Sequence, residues 1–505
     1  MATLLLAFST VLVSQDASIE ASKPMPSASA LVDEALEACR KSGTEVDFYT
    51  GPLLMHALND CGRLREARQL MLDCEDENSR DSLETVYQHI VLKHDEVAGY
   101  ERMIGEATDD EKAYLISNVI AELVDRGQLA EAERYFERLA HLKCPDDKSF
   151  DYLLESSVAA SLAQEFLAVG DHERARKYVR LGLKAASRRE VAPVAPDSID
   201  VFVPIGVQVG ETKTLVNVIE SMGKLGYLAR SAQWHASTGH WWTLIGDRSK
   251  AEHAFENAES TASWMKATDG ATRNDVIRMY IHLAREARKA GFNAKANAWK
   301  DRLVEMVTTT ETARERLSKP IPKDDVSAQM VRAESLWYQG EEVSMIVSFF
   351  SEEGDFNRAE TLSKMPVDPD WQIRTRFDIV DGHIAHGNVE RAKMYLDGTR
   401  TELTRPDGKY SKIPLLQDMA KRYHTLNKQE AVDECLSEAN QLAGDDADFL
   451  YQIARTQLDV GRYRQCYATI HRISDSELQE FTLLLLAYTY ASHRAGKPPA
   501  LLELY

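Results

Sequence analysis

Seven glycines in this chain are each followed five residues later by an alanine, inside sequence that otherwise favours helix: Gly62/Ala67, Gly127/Ala132, Gly170/Ala175, Gly246/Ala251, Gly291/Ala296, Gly354/Ala359 and Gly387/Ala392. Gly461 and Cys466 keep the spacing with another small residue. An apolar-periodic segment precedes each pair and another follows it. Glycine ends a helix in a left-handed conformation that other residues reach only at a cost. A small residue five positions on lets the next helix lie close against the first. The unit so specified is an antiparallel helical hairpin, and its repetition predicts an all-α chain folded as an α-solenoid.

Some gaps between these glycines are about twice the others, and the wide ones contain degenerate turns. His94–Ala98 begins a helix in the first wide gap, Gly210 opens ETKTLVNVIESM in the second, and Leu426–Ala431 (LNKQEA) repeats the spacing without glycine in the third. Counted this way the chain holds roughly ten to twelve hairpins with atypical units at its ends. Ala113–Asp125 illustrates the register, placing Leu115, Val119, Ile120 and Leu123 on one helical face before Gly127 breaks it. Phe481–Tyr490 (FTLLLLAYTY) reads as a closing helix.

Proline clusters interrupt the array at Val191–Pro204, Thr308–Gln329 and Arg400–Pro414, and they predict loops or insertions. The resulting division is 1–30 as a possible signal segment and linker, then helical blocks at 31–190, 205–307 and 328–505. No alternating run is long enough to predict a sheet.

The chain has 505 residues, 80 acidic against 60 basic, for a formal charge of −20. That balance disfavours unassisted binding to nucleic acid or to anionic membrane, both polyanions. Six cysteines form no C-x-x-C pair, and Cys466, standing in place of the packed alanine, reads as a buried free thiol. Leu4–Val13 is too short to span a bilayer. It fits the apolar part of a secretory signal, with Ala17 or Ala21 near a cleavage point, although no Lys or Arg precedes Lys23. The alternative is a short capping helix; the reading favours export to periplasm or medium over a cytoplasmic location.

No H-E-x-x-H, G-x-S-x-G, P-loop or strand-linked G-x-G-x-x-G is present. His235/His240 and His383/His386 lack acidic or cysteine partners at helical ligand spacing and read as structural or surface histidines. The acidic run Asp73, Glu75, Asp76, Glu77 has no calcium-loop spacing. No catalytic, metal or cofactor residue is assigned, and the chain reads as a non-enzyme.

The pattern resembles the tetratricopeptide repeat superfamily, whose units carry a small residue in the first helix, glycine in the turn, and alanine and an aromatic in the second. Ala163, Phe166, Gly170 and Ala175 match in one unit; Gly239, Trp242, Gly246, Ala251, Phe255 and Ala258 match in another. The likeness covers most of 50–475, while the closing proline of the family is mostly absent. It implies a non-catalytic scaffold that grips a protein or peptide on a concave face built from first helices. Units at 53–73 and 115–139 are also similar to pentatricopeptide repeats, which implies the alternative of single-stranded RNA binding; the net charge weighs against it.

Two candidate partner-binding groups follow. Arg176, Arg180, Lys184 and Arg188 recur every four residues and could dock an acidic peptide, phosphate or anionic lipid, although a solvated face is the preferred reading. Six of seven tryptophans lie between Trp234 and Trp337. Trp242 stands where repeats pack their helices together, which leaves Trp234 and Trp241 as the groove candidates, with core packing the favoured reading for the group.

Overall fold

The computed structural model describes residues 25–42, 50–74, 109–142, 148–187, 196–224, 231–265, 273–308, 326–366, 368–403 and 409–496, with scattered residues between 79 and 107. The described residues form helices and turns and contain no strand. The helices begin with α1 (Ala28–Ser42), α2 (Thr50–Asp60) and α3 (Leu64–Leu72). Next come α4 (Asp109–Asp125), α5 (Leu129–His141), α6 (Lys148–Ala168), α7 (His172–Ala186), α8 (Pro196–Gln208) and α9 (Thr212–Met222). The middle of the chain supplies α10 (Ala232–Ile245), α11 (Arg248–Met265), α12 (Arg273–Lys289), α13 (Asn293–Thr308) and α14 (Val326–Glu352). The rest forms α15 (Phe356–Leu362), α16 (Pro369–Ala385), α17 (Val389–Glu402), α18 (Lys409–Thr425), α19 (Gln429–Ala443), α20 (Ala447–Asp459), α21 (Tyr463–Ile470) and α22 (Ser476–Arg494). Successive described helices pair as antiparallel hairpins in an all-α repetitive fold, as the spacing predicts.

The turns explain why. At every one of the eight paired glycines φ lies between +70° and +93°, and Gly210 sits at +80°. Asn427 occupies the same conformation at +57°, the one non-glycine residue with positive φ among those described. Asparagine tolerates that region better than other side chains. After each of these ten residues the next amide donates to the carbonyl five positions back, from Arg63 N to Leu58 O (2.8 Å) through Arg462 N to Gln457 O (2.7 Å). That six-to-one bond closes a Schellman cap. The residue five positions beyond the turn makes the first helical hydrogen bond of the second helix, as Ala67 N does to Arg63 O. It is buried at every turn: the seven alanines are at most 3% exposed, and Cys466 is at 0%. At the degenerate turns Leu215 and Val432 hold this position, also at 0%. Burial is therefore the constant feature, and smallness is its commonest solution.

In two of the predicted breaks the described residues are mostly helical, while 191–195 and 404–408 lie outside the described ones. Val191–Pro204 contains most of α8, which starts at Pro196 and carries Pro204 in its interior. Arg400–Pro414 contains the end of α17 and the start of α18, with Pro414 inside the latter. Pro196 opens its helix, where a missing amide costs nothing; the interior prolines each remove one helical donor, which packing tolerates here. Within Thr308–Gln329 the described residues are helical, Thr308 ending α13 and 326–329 opening α14; residues 309–325 lie outside the described ones. So do Leu4–Val13 and His94–Ala98.

The chain divides into two compact units, one of Val91–Phe349 with Met365–Val367, the other of Met1–Ile90, Phe350–Lys364 and Asp368–Tyr505. In the first, α4, α6, α8, α10 and α12 lie side by side as a row of first helices, and α5, α7 and α11 each pack on their own partner and on the following first helix. Tyr178 is typical of the interior: fully buried, it stacks on Phe166 at 5.6 Å and meets the edge of Phe136 at 5.1 Å.

The second unit is assembled from both ends of the chain. Its first helices α16, α18, α20 and α22 form a row, and α1 and α2 pack directly on α22. One apolar cluster joins Leu31, Val32 and Leu53–Met55 to Leu483–Tyr488, with Cys39 and Cys466 in the same interior. Polar groups fix the junction: Ser492 Oγ donates to Asp60 Oδ2 at 2.7 Å and Tyr467 Oη to Glu34 Oε2 at 3.0 Å. The apolar run at 481–490 thus receives α1 and α2, the first of the described helices. Among the described residues no helix is long and apolar enough to cross a membrane.

Candidate functional site

The row of first helices in the Val91–Phe349 unit carries a line of polar contacts from α8 to α12. Trp241 Nε1 donates to Asp200 Oδ1 at 2.6 Å. Ser237 Oγ lies 3.2 Å from His282 Nε2. Glu286, 5% exposed, meets His240 Nδ1 at 2.9 Å and Lys289 Nζ at 2.7 Å. Burial pushes the Glu286 carboxyl upward, but the hydrogen bonds from His240 and Lys289 outweigh it and hold its pKa at about 2. Burial lowers His282, keeping its imidazole neutral. Trp241, Ser237 and His240 on α10 each meet a group on α8 or α12, so the line sets the register of adjacent hairpins. Among the described residues no three His, Cys, Asp or Glu side chains are arranged to hold a metal ion.

The tryptophans separate into two environments. Trp234, Trp241 and Trp242 are 4%, 1% and 6% exposed, so the expectation that Trp234 and Trp241 lie open in a groove is corrected. The physical reason is crowding: α10 is flanked by α8, α11 and α12, and it has no long solvent face. Trp234 and Trp241 meet edge to face at 5.2 Å. Gly239, between them in the helix, leaves room for Phe255, whose Cζ would lie 2.7 Å from any Cβ built there. Truncating Trp241 therefore reports on core stability, not on partner capture. Trp234 keeps one edge on a cavity between α9, α10 and α11.

Two of the four residues of the basic stripe on α7, Arg176 and Arg180, are paired. Arg176 Nε donates to the carbonyl of Val209 at 2.8 Å, and its Nη1 pairs with Glu173 at 2.7 Å. Arg180 Nη2 reaches Glu211 Oε1 at 2.6 Å, holding that carboxyl below its usual range. Lys177 and Arg174 turn the other way, to Glu133 on α5. Lys184 is exposed, and Arg188 lies outside the described residues. The helix is thus stitched to the acids of the preceding and following hairpins.

The exposed aromatic surface is elsewhere. Ten large hydrophobic side chains are exposed among the described residues, and three of them, Met330 at 69%, Trp337 at 57% and Tyr338 at 50%, fall in the first half of α14. Their spacing of i, i+7 and i+8 puts them on one helical face. Glu334, also exposed, stands among them. From Gln339 onward the helix is mostly buried, and it is tied to α12 by Arg273–Glu342 at 2.9 Å and Asn274–Glu341 at 3.0 Å. Sequence reasoning grouped Trp337 with the other tryptophans and missed this face; the periodic Met330/Trp337/Tyr338 triplet beside a proline-rich segment was the available signal.

No family model matches the chain, and no curated protein matches it. Solved structures similar to it include Ton1535 from Thermococcus onnurineus NA1, at TM-score 0.26 and 11% identity over 73% of this chain and 97% of that one. A circular tandem repeat protein with novel repeat topology gives 0.22 and 14%, over 92% of this chain and 100% of that one. The Cut9–Hcn1 hetero-tetramer of the APC/C gives 0.21 and 12%, over 92% and 96%.

Proposed function

We propose that the chain is a non-catalytic scaffold that captures a protein or peptide, and that the partner docks over Met330, Trp337 and Tyr338 on α14. The carrying observation is the exposure of these three side chains on one face, in a molecule whose other described aromatics mostly fill the joints between helices. Trp, Tyr and Met are the residue types enriched at interface centres, and single aromatic anchors there contribute upward of about 2 kcal/mol. Glu334 within the face and the chain's charge of −20 favour a partner that presents apolar side chains flanked by basic ones. Repeat scaffolds suit this work, because each hairpin adds surface without altering the fold of its neighbours.

The test is a Trp337→Ala/Tyr338→Ala variant, expressed beside the unmodified chain in the native host and purified from it. Quantitative mass spectrometry is expected to show at least about a tenfold loss of the co-purifying partner. Helical content and melting temperature stay within the small range typical of surface substitutions. An unchanged set of co-purifying proteins would sink the assignment.

A further inference from the structure

We infer that the outer face of α17 is a self-association surface, on which a second copy of this chain docks about a two-fold axis through Met394. Met394 is 62% exposed. Arg391 and Asp397 stand three residues to either side of it, and both are exposed. A helix turns about 100° and rises about 1.5 Å per residue, so the three side chains form one oblique row with Met394 at its centre. Gly398, one turn beyond Met394, is exposed as well, and no atom comes within 4 Å of the position its Cβ would take. Glycine inside a helix is destabilising relative to alanine. Among the described residues no contact within the chain accounts for it here, whereas a close approach by another helix does.

The charges on this helix point to the occupant. α17 carries three acids and three bases, so it is locally neutral in a chain of charge −20. Four of the six are paired: Glu390 with Lys393 at 2.8 Å, Arg400 with Glu434 at 3.2 Å and Glu402 with Arg376 at 2.5 Å. Arg391 and Asp397 are the two left over. Among the described residues neither has an ion-pair partner, although Asp397 accepts the Tyr423 hydroxyl at 2.8 Å. Their six-residue spacing sets them about 9 Å apart along the axis and on opposite flanks of the row, too far to pair with each other. A second copy whose row lies antiparallel on this one brings the arginine of each to the aspartate of the other. The two Met394 thioethers then meet at the axis. An unrelated partner would have to present the same charge pair at the same spacing; a second copy presents it by construction. Such a contact is isologous and closes at the dimer. Met and Arg are enriched at interface centres, and complementary charges fix the register. Two rows each inclined by about 45° make the helices cross steeply. The contact is therefore small, and the dimer weak and reversible.

This face shares no residue with the α14 face, so the two readings fail separately: Trp337→Ala/Tyr338→Ala leaves self-association unchanged. The experiment is sedimentation equilibrium of the full chain at physiological salt, from micromolar to several hundred micromolar. A reversible monomer–dimer equilibrium is expected, with no larger species. Met394→Glu places like charges on the axis and weakens the dimer by at least about tenfold. Arg391→Glu and Asp397→Lys each bring like charges together and weaken it comparably. Mixed in equal amounts, those two variants form a heterodimer at least about tenfold tighter than either alone, because every altered charge then meets an opposite one. Mixing does not repair a folding defect, so this recovery belongs to a contact between copies. A chain that stays monomeric throughout, a dimer that Met394→Glu leaves intact, or a mixture no tighter than its components would overturn the inference.

Discussion

His383 shows how much one residue can determine. It is 0% exposed on α16, stacked on Phe356 with ring centres 3.8 Å apart, and neither ring nitrogen has a hydrogen-bond partner. An imidazole so placed must be neutral, and even then one N–H goes unsatisfied, at a cost of about 1–3 kcal/mol. Burial lowers its pKa from 6.5, reinforced by Arg391 and His386 and opposed by Glu360. The sign follows: as pH falls below 6.5 the unfolded chain takes up a proton that the folded one refuses, so stability is full above 6.5 and is lost toward the depressed folded value. His383→Leu is expected to be neutral or stabilising at pH 7. It also makes the acid-side slope of stability shallower, by as much as about 1.4 kcal/mol per pH unit. Urea unfolding at several pH values checks this; an identical slope in both proteins contradicts it.

At this scale the sequence was informative about turns and poor at separating faces. Trp234, Trp241 and Trp242 have the same i, i+7, i+8 spacing as Met330, Trp337 and Tyr338. The first triplet is buried and the second exposed. Spacing defines a stripe on a helix, but what lies opposite that stripe is decided by neighbouring hairpins that are remote in sequence. The glycine turns needed no such partner, because the left-handed cap is a property of a few adjacent residues.

Among elements, α22 has the widest consequences. Glu480, Leu483–Tyr488 and Ser492 are buried on it, and α1 and α2 rest on it. Its apolar run was legible as a closing helix; its partners were not, since His56 and Tyr488, 6.0 Å apart as rings, are separated by most of the chain. Hairpins interact with their successors through local sequence, whereas this junction pairs residues that no periodicity relates. A chain ended after Ser474 should therefore lose amide protection at its other end. Hydrogen exchange across 28–60 is expected to accelerate by more than about tenfold, while α4–α7 keep their rates. Unchanged exchange in α1 and α2 would show that they are stable without α22.

For the whole molecule, repetition supplies the architecture and the exceptions supply the work. Arg176 and Arg180 of the stripe on α7 and the line from α8 to α12 are charged or polar yet engaged by neighbouring groups, as Arg180–Glu211 and His240–Glu286 illustrate. They were visible in sequence as charge, but their partners lie one hairpin away and cancel them. The first half of α14 follows no glycine–alanine turn and leaves its aromatic face in solvent. The central claim is that this face takes the partner. Its most direct test is hydrogen exchange of the chain with and without the protein that co-purifies with it. The account predicts slowed exchange concentrated in 326–338; slowing confined to other helices, with 326–338 unaffected, would contradict it.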